Sequence, residues 1–288
     1  MKIPEKPALS TGEKTGIAAF ILAGLFFVLW GPGWGIVFPA GFVLVCLAAP
    51  FVTGYGFFLP VICRGPRNAG YVSLTFDDGP DSVTTPLILN LLDSYQVPAT
   101  FFVTGKNAAA HPDLIARILD QGHTIGNHTY SHDPLIMLKS GQRLKGEIIK
   151  TQAVLAAHGI RPLVFRPPAG ITNPKLGPVL AELGLRAVNF SCRAMDKGNR
   201  RISGMASKIL DRVKSGDIIL LHDSKPWVKK TEDPDNTPLF SFLTELERVL
   251  NGLETRKIPV VPLSELIGQA VMEQVAPCAA PAGTDLND

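Results

Sequence analysis

The sequence predicts an α/β domain built on a parallel sheet and closed as a (β/α) barrel, preceded by an N-terminal transmembrane helical hairpin. Three observations carry this expectation. Residues 15–63 form a run of 49 positions without an Asp, Glu, Lys, Arg or His. Over the 219 residues from 70 onward, short β-branched or aromatic runs alternate with longer helical patterns about seven times. Polar clusters follow directly after strand candidates, as at the C-terminal face of a barrel, which favours a barrel over the doubly wound open sheet that the same alternation allows.

The first 69 residues hold five of the 28 basic side chains and two of the 25 acidic ones, leaving 23 of each in the rest. The formal charge of +3 therefore belongs to the flanks of the apolar run, and no nucleic-acid partner is expected. A mean hydropathy of +0.20, with only 18% charged residues, has the same local origin. Two apolar stretches, 15–30 and 36–53, flank Gly31-Pro32-Gly33-Trp34-Gly35. At 1.5 Å per residue they reach roughly 24 and 27 Å, close to a ~30 Å hydrocarbon core. Gly31-Pro32-Gly33 stops a helix and suits a tight turn between antiparallel spans, and Trp30 and Trp34 fall where an interfacial belt would lie. No convincing small-residue cleavage site precedes the next charge, which argues against a cleaved signal peptide.

The expected organisation is a tail over 1–14, a membrane anchor of two apolar helices over 15–56, a linker over 57–70, a catalytic domain over 71–270 and a flexible tail over 271–288. Both flanks of the hairpin are basic, which by the positive-inside rule favours the cytoplasmic face of the inner membrane for the domain; a single crossing would put it outside. Cys46, Cys63, Cys192 and Cys278 form no CxxC pair, so a disulfide scaffold, redox chemistry and a cysteine-ligated metal are excluded.

Strands are expected at 71–76, 99–103, 124–127, 163–166, 186–190, 217–221 and 259–261. Helices are expected at 86–95, 112–121, 141–158, 174–183, 204–214, 239–251 and 263–274. Thr85-Pro86 and Asn173-Pro174 read as an N-cap followed by proline at the first helical position. His158-Gly159 and Asn251-Gly252 read as helix ends.

Four clusters carry chemistry. Asp77 and Asp78 end an apolar strand, where adjacent carboxylates can diverge, one toward a cation and one toward a substrate. His128 and His132, four apart, lie on one side of a helical turn and can converge on one metal, with Asp78 completing the set. His123 is read as a packed or solvent histidine, and His111 and His158 as helix-end residues. Arg166 ends a buried strand and needs a partner carboxylate; His222 ends four consecutive apolar residues, where a histidine without a role would be costly.

Together the clusters Thr75-Phe76-Asp77-Asp78-Gly79-Pro80, Gly126-Asn127-His128-Thr129-Tyr130-Ser131-His132, Phe165-Arg166-Pro167-Pro168-Ala169-Gly170 and Ile218-Ile219-Leu220-Leu221-His222-Asp223 resemble the polysaccharide deacetylase family, the NodB-homology carbohydrate de-N-acetylases, over roughly 72–266. The resemblance implies a distorted (β/α) barrel of about seven strands. It implies Asp77 as general base, Asp78, His128 and His132 as metal ligands, Arg166 orienting the base and His222 as general acid. It further implies Leu220 in the acyl pocket and an oxyanion donor from the Pro168–Ala169 turn. Ala169 stands where the family often has an aromatic residue, and a degraded motif at 190–196 leaves Asp196 as support for His222. The cofactor implied is a divalent metal, zinc by its ligand set, with cobalt, nickel or iron compatible.

The resulting expectation is a membrane-anchored, metal-dependent hydrolase that removes N-acetyl groups from an amino-sugar polymer. A rival keeps the chemistry but acts on a polyprenyl-phosphate-linked amino sugar at the inner leaflet, removing formyl or acetyl. A non-catalytic, membrane-tethered glycan-binding module is the alternative of another class. A bare phosphoesterase would use the same metal set, against which the acyl-pocket leucine argues. Over 224–238, Trp227 is a candidate for stacking on a sugar ring while Lys225, Lys229 or Lys230 meets a lipid phosphate; a solvated loop is the plainer reading.

Overall fold

A computed structural model of the chain describes residues 9–52, 54–194, 202, 204–224 and 238–277. Helix α1 (Thr11–Trp30) begins four residues before the apolar run because Ser10 and Glu13 cap it reciprocally. The Ser10 Oγ accepts from the Glu13 N–H at 3.2 Å, and the Glu13 carboxylate accepts from the Ser10 N–H at 2.7 Å. Gly31, with φ +89°, ends the helix in a conformation that favours glycine. The expected tight turn is a short helix, α2 (Pro32–Gly35), and α3 (Val37–Ala48) returns along α1. Gly16 lies against the Phe42 ring, and the Phe26 and Phe38 rings meet edge-on at 4.7 Å. The spans Thr11–Trp30 and Pro32–Phe51 are long and apolar enough to cross a membrane, by length and composition.

The remaining elements are β1 (Val61–Ile62), β2 (Ser73–Asp77), α4 (Thr84–Ser94), β3 (Ala99–Val103), α5 (Gly105–Ala110), α6 (Pro112–Asp120) and β4 (Thr124–Asn127). They continue as α7 (Gly141–Ala156), β5 (Ile160–Pro162), β6 (Val164–Phe165), α8 (Leu176–Leu183), β7 (Arg186–Val188), β8 (Cys192–Arg193) and α9 (Met205–Leu210). The chain then forms β9 (Ile218–His222), α10 (Pro238–Thr255), α11 (Leu263–Ile267) and β10 (Met272–Gln274).

The main sheet runs β1-β7-β6-β4-β3-β2-β9-β8, and every neighbouring pair is parallel. Residues 186–193 curl it. Their first half, β7, pairs with β6 and β1, and their second half, β8, pairs with β9. One stretch of chain thus joins both flanks of the sheet. Alternation within the strands sorts side chains between two layers. Leu74, Phe76, Phe101, Ile219 and Leu221 pack outward against Ile88, Leu89 and Leu92 of α4, Ile115 and Ile118 of α6 and Leu246 and Val249 of α10. Each fully buried aliphatic side chain of this layer contributes about 1.5–3 kcal/mol. Phe102, Val188, Phe190, Ile218 and Leu220 fall in a separate cluster on the inner side. By the same alternation Asp77 and His222 end their strands facing inward.

Several boundaries differ from expectation. The strand expected at 259–261 is a single bridge, Val72 to Val260. The helix expected over 263–274 stops at Ile267, because Gly268 takes φ +64°, and Met272–Gln274 pairs antiparallel with Ile160–Pro162. Helix α8 starts at Leu176, with the Asn173 Oδ1 accepting from the N–H groups of Lys175 (3.0 Å) and Leu176 (2.9 Å). The stretch 57–70, read as a linker, carries β1, and the stretch from 271, read as a tail, carries β10.

Candidate active site

Asp77 and Asp78 diverge because Asp78 takes φ +79°, a backbone region costly for a residue with a Cβ. Three hydrogen bonds hold that turn: Asn107 Nδ2 to the Asp78 carbonyl (2.9 Å), Thr104 N–H to the Gly79 carbonyl (2.9 Å) and Asp223 N–H to the Asp77 carbonyl (2.8 Å). The Asp77 side chain is buried and its Oδ1 lies 2.7 Å from Arg166 Nη1.

His128 and His132 are not on a helical turn. They bracket a loop after β4 in which Thr129 (φ +66°) and His132 (φ +51°) reverse the chain. Glu147 of α7 holds that loop, its Oε2 accepting from Tyr130 N–H (3.0 Å), Ser131 N–H (2.7 Å) and Ser131 Oγ (2.9 Å). Asn127 adds a second brace, accepting from Thr129 N–H and donating to the Ile148 carbonyl, each at 3.0 Å. The outcome is convergence: Asp78 Oδ1 lies 3.1 Å from His132 Nε2 and 3.5 Å from His128 Nε2. One ligand atom from each of the three residues falls within 4.8 Å of the other two. The His128 Nδ1–H donates to the Arg166 carbonyl at 2.7 Å, which leaves Nε2 as the lone-pair nitrogen pointed at Asp78. Two imidazole nitrogens and a carboxylate, with one tautomer fixed from behind, fit a divalent ion.

Arg166 is fully buried. Its Nη1 also donates to Thr75 Oγ1 (2.8 Å), Nη2 to the Asn189 carbonyl (2.9 Å) and Nε to the Val188 carbonyl (3.2 Å). The Phe102 ring lies 3.9 Å beneath the guanidinium. Burial pulls the guanidinium pKa below its ordinary value, opposed by the Asp77 charge and hydrogen bond. His222, at the end of β9, is in register with Asp77, and Leu220 lies two residues back on the same face. Pro168 and Ala169 form a 3-10 turn after Arg166 in which Ala169 takes φ +56°. Asn189 Nδ2 fastens the turn through the Gly170 carbonyl at 3.0 Å.

The family model for polysaccharide deacetylases matches residues 64–188. A peptidoglycan-N-acetylglucosamine deacetylase of Bacillus cereus is 36% identical over 217 residues, covering 75% of this chain and 94% of that protein. This chain belongs to the polysaccharide deacetylase family. It is a hydrolase of the deacetylase type, acting on carbon–nitrogen non-peptide bonds of linear amides. A chitooligosaccharide deacetylase of Bradyrhizobium sp. is 32% identical over 213 residues, covering 69% of this chain and 94% of that one. Among solved structures, the Bc1960 peptidoglycan N-acetylglucosamine deacetylase superposes with a TM-score of 0.65 at 31% identity, over 73% of this chain and 94% of that one. A family 4 carbohydrate esterase from Streptomyces lividans gives 0.60 at 30%, over 72% and 98%.

This deacetylase-family chain also uses residues that sequence reasoning missed. Glu147 and Asn189 brace the loops, and no local pattern marks them; Asn127 stands in the histidine cluster, but its bracing role is seen only in the structure. Asp223 directly follows His222 and is completely buried, accepting 2.6 Å hydrogen bonds from the hydroxyls of Thr84 and Thr85. Burial pushes its pKa up to about 7; the two threonines oppose the shift, and Asp81 and Asp78 add to it. A Cβ on Gly79 would collide with the Asp223 carboxylate, so position 79 requires glycine. Asp196, Trp227, Lys225, Lys229 and Lys230 lie outside the described residues.

Proposed function

We propose that this chain is a membrane-anchored, metal-dependent deacetylase of an N-acetylated amino-sugar polymer. The observation that carries the reading is the Asp78–His128–His132 donor set beside the buried Asp77–Arg166 pair. Asp78, His128 and His132 would hold a divalent ion, zinc by the donor set, with cobalt, nickel or iron also compatible. When bound, such an ion supplies Lewis-acid polarisation of the amide carbonyl and lowers the pKa of a water.

The chain's own residues supply the rest. Arg166 engages Asp77 Oδ1, which leaves Oδ2, 3.9 Å from His128 Nε2, as the oxygen that takes the proton from the attacking water. Ala169 N–H belongs to the first turn of its 3-10 helix, where donors have no partner within the helix, and it donates to the oxyanion. His222, beside Asp77 on the adjacent strand, protonates the leaving amine as the carbon–nitrogen bond breaks, and Asp196 supports it. Leu220, two residues before His222 on the same face, and the buried Pro168 would line the acyl side. The activities of the relatives favour an N-acetylglucosamine polymer as substrate.

Membrane attachment is supported by how little of the two apolar spans is buried, 17% and 6%; helices of a soluble core would be covered. By the positive-inside rule the basic flanks Lys14, Arg64 and Arg67 support a cytoplasmic placement of the domain. The test is release of acetate from N-acetylglucosamine oligomers by the full chain, before and after chelation and with His128→Ala. Turnover that survives chelation, or one metal per chain retained by His128→Ala, would overturn the reading.

A further inference from the structure

A cavity lies apart from the carboxylate–histidine residues. It has a volume of about 910 Å³, and its wall includes Gly54, Arg64, Arg67, Phe190, Arg193 and Lys214. No acidic residue is among the described lining residues, and none of Asp77, Asp78, His128, His132 or His222 reaches it. Lys214 precedes β9, whereas His222 ends it, so the length of a strand separates this corner of the cavity from the catalytic face.

The cationic wall is assembled, not accidental. Gly65 N–H donates to the Gly216 carbonyl and Gly70 N–H to Ser215 Oγ, each at 2.8 Å, which ties the Arg64–Arg67 segment to the Lys214 segment. Arg64 is braced at 2.7 Å by buried Asp217, which also accepts from Ser191 Oγ at 2.6 Å. Arg193 lies over the Phe190 ring at 5.2 Å. Among the described residues, Arg64 is the one of the four cations with a carboxylate partner. Four positive side chains against one carboxylate make an anion site, and its volume is that of an organic ligand rather than a single ion. The amine product of deacetylation is cationic and would be repelled from it.

Position fixes the source of the anion. Gly54 is three residues past Phe51, the end of the second apolar span, so the chain can carry it at most about 11 Å from that end. We infer that this cavity binds the phosphate headgroup of an anionic membrane lipid, seating the domain on the bilayer through Arg64, Arg67, Arg193 and Lys214. Arginine forks match phosphate oxygens, and basic groups at this depth meet the negative surface. The inference rests on the membrane attachment proposed above.

The test is calorimetric titration of the full chain in a non-ionic detergent with dihexanoyl phosphatidylglycerol, dihexanoyl phosphatidylcholine and inorganic pyrophosphate. The glycerol lipid should bind at least tenfold tighter than the choline lipid. Arg67→Ala with Lys214→Ala should weaken it about 25-fold, on the order of fivefold per basic residue. The double variant should keep its deacetylase turnover, which shows that it folds, and Lys214→Arg should keep lipid affinity. Equal affinity for the two lipids, or an unchanged affinity in the double variant, overturns the inference. Tight pyrophosphate binding without phosphatidylglycerol binding overturns the lipid source. Extraction of the chain from membranes by alkaline carbonate would instead refute the anchor, a result that the titration in micelles does not depend on.

Discussion

Replacing Arg166 with methionine tests the largest fully buried side chain of the site. The guanidinium has no exposed surface and donates to Asp77, Thr75 and the carbonyls of residues 188 and 189. Methionine preserves much of the packing over Phe102 but strands a buried carboxylate, a loss of about 3–5 kcal/mol. Asp77→Asn alone keeps an acceptor for Nη1 and should cost less, about 1–3 kcal/mol. If the two side chains act as a pair, the double variant should be more stable than the sum of the single losses predicts, by about 2 kcal/mol. Denaturant unfolding of all four proteins, read by tryptophan fluorescence and with a common m-value, measures this coupling. Metal content should survive in Arg166→Met, because the contact that fixes His128 is made by the backbone carbonyl of residue 166. Strict additivity of the two losses would refute the ion-pair argument, and loss of metal would refute the separation of backbone and side-chain roles.

Asp77→Asn should keep its metal while turnover falls about 10²–10⁴-fold, the size of a lost general base; near-normal turnover would mean that the two adjacent aspartates have been given each other's roles. Glu147→Ala releases three donors of the histidine loop and should weaken metal affinity about 10–100-fold, measured by competition with a chromophoric chelator, whereas Glu147→Gln should recover most of it. His123 is buried, accepts from the Ala99 N–H at 3.2 Å, and has its pKa lowered by burial, with Asp93 opposing. It stays neutral in the folded chain while the unfolded chain takes up a proton near pH ~6.5, so its contribution is present above that pH and lost as the pH falls. His123→Gln should therefore flatten the decline in Tm between pH 7 and pH 5, and an unchanged decline would exclude His123 as its source.

Strand ends that carry chemistry were legible because a buried parallel strand reads as an apolar run, and a charge that interrupts such a run needs a reason. That holds for His222 after Ile218–Leu221, whereas before Asp77 the hydroxyls of Ser73 and Thr75 interrupt the apolar pattern. The two-residue strands β1 and β8 were not legible, since two positions carry no periodicity and exist only through their neighbours, whereas β6 fell inside the strand expected at 163–166. The convergence of His128 and His132 was anticipated, but the local backbone was not. A helical turn and a loop with two left-handed residues both bring the rings together, and the choice is made by Glu147, fifteen residues beyond His132. Asp223 stands in the fourth cluster, but its role was hidden for a similar reason: its partners Thr84 and Thr85 are 139 and 138 positions away.

The role of β1 limits how the domain can be detached from its hairpin. The match to the family begins at residue 64, yet Val61 and Ile62 pair with β7, and the Ile62 carbonyl accepts from Asn189 N–H at 2.8 Å. Asn189 in turn fastens Arg166 and the Pro168–Gly170 turn. A truncated chain starting at 64 would lay bare the edge of β7 for pairing with other molecules and loosen a residue that touches the buried Arg166. Phe57 is buried where it meets Gly12 of the hairpin, whereas Leu59 packs into the domain against Leu176 and Leu180. The scissors belong between residues 57 and 58.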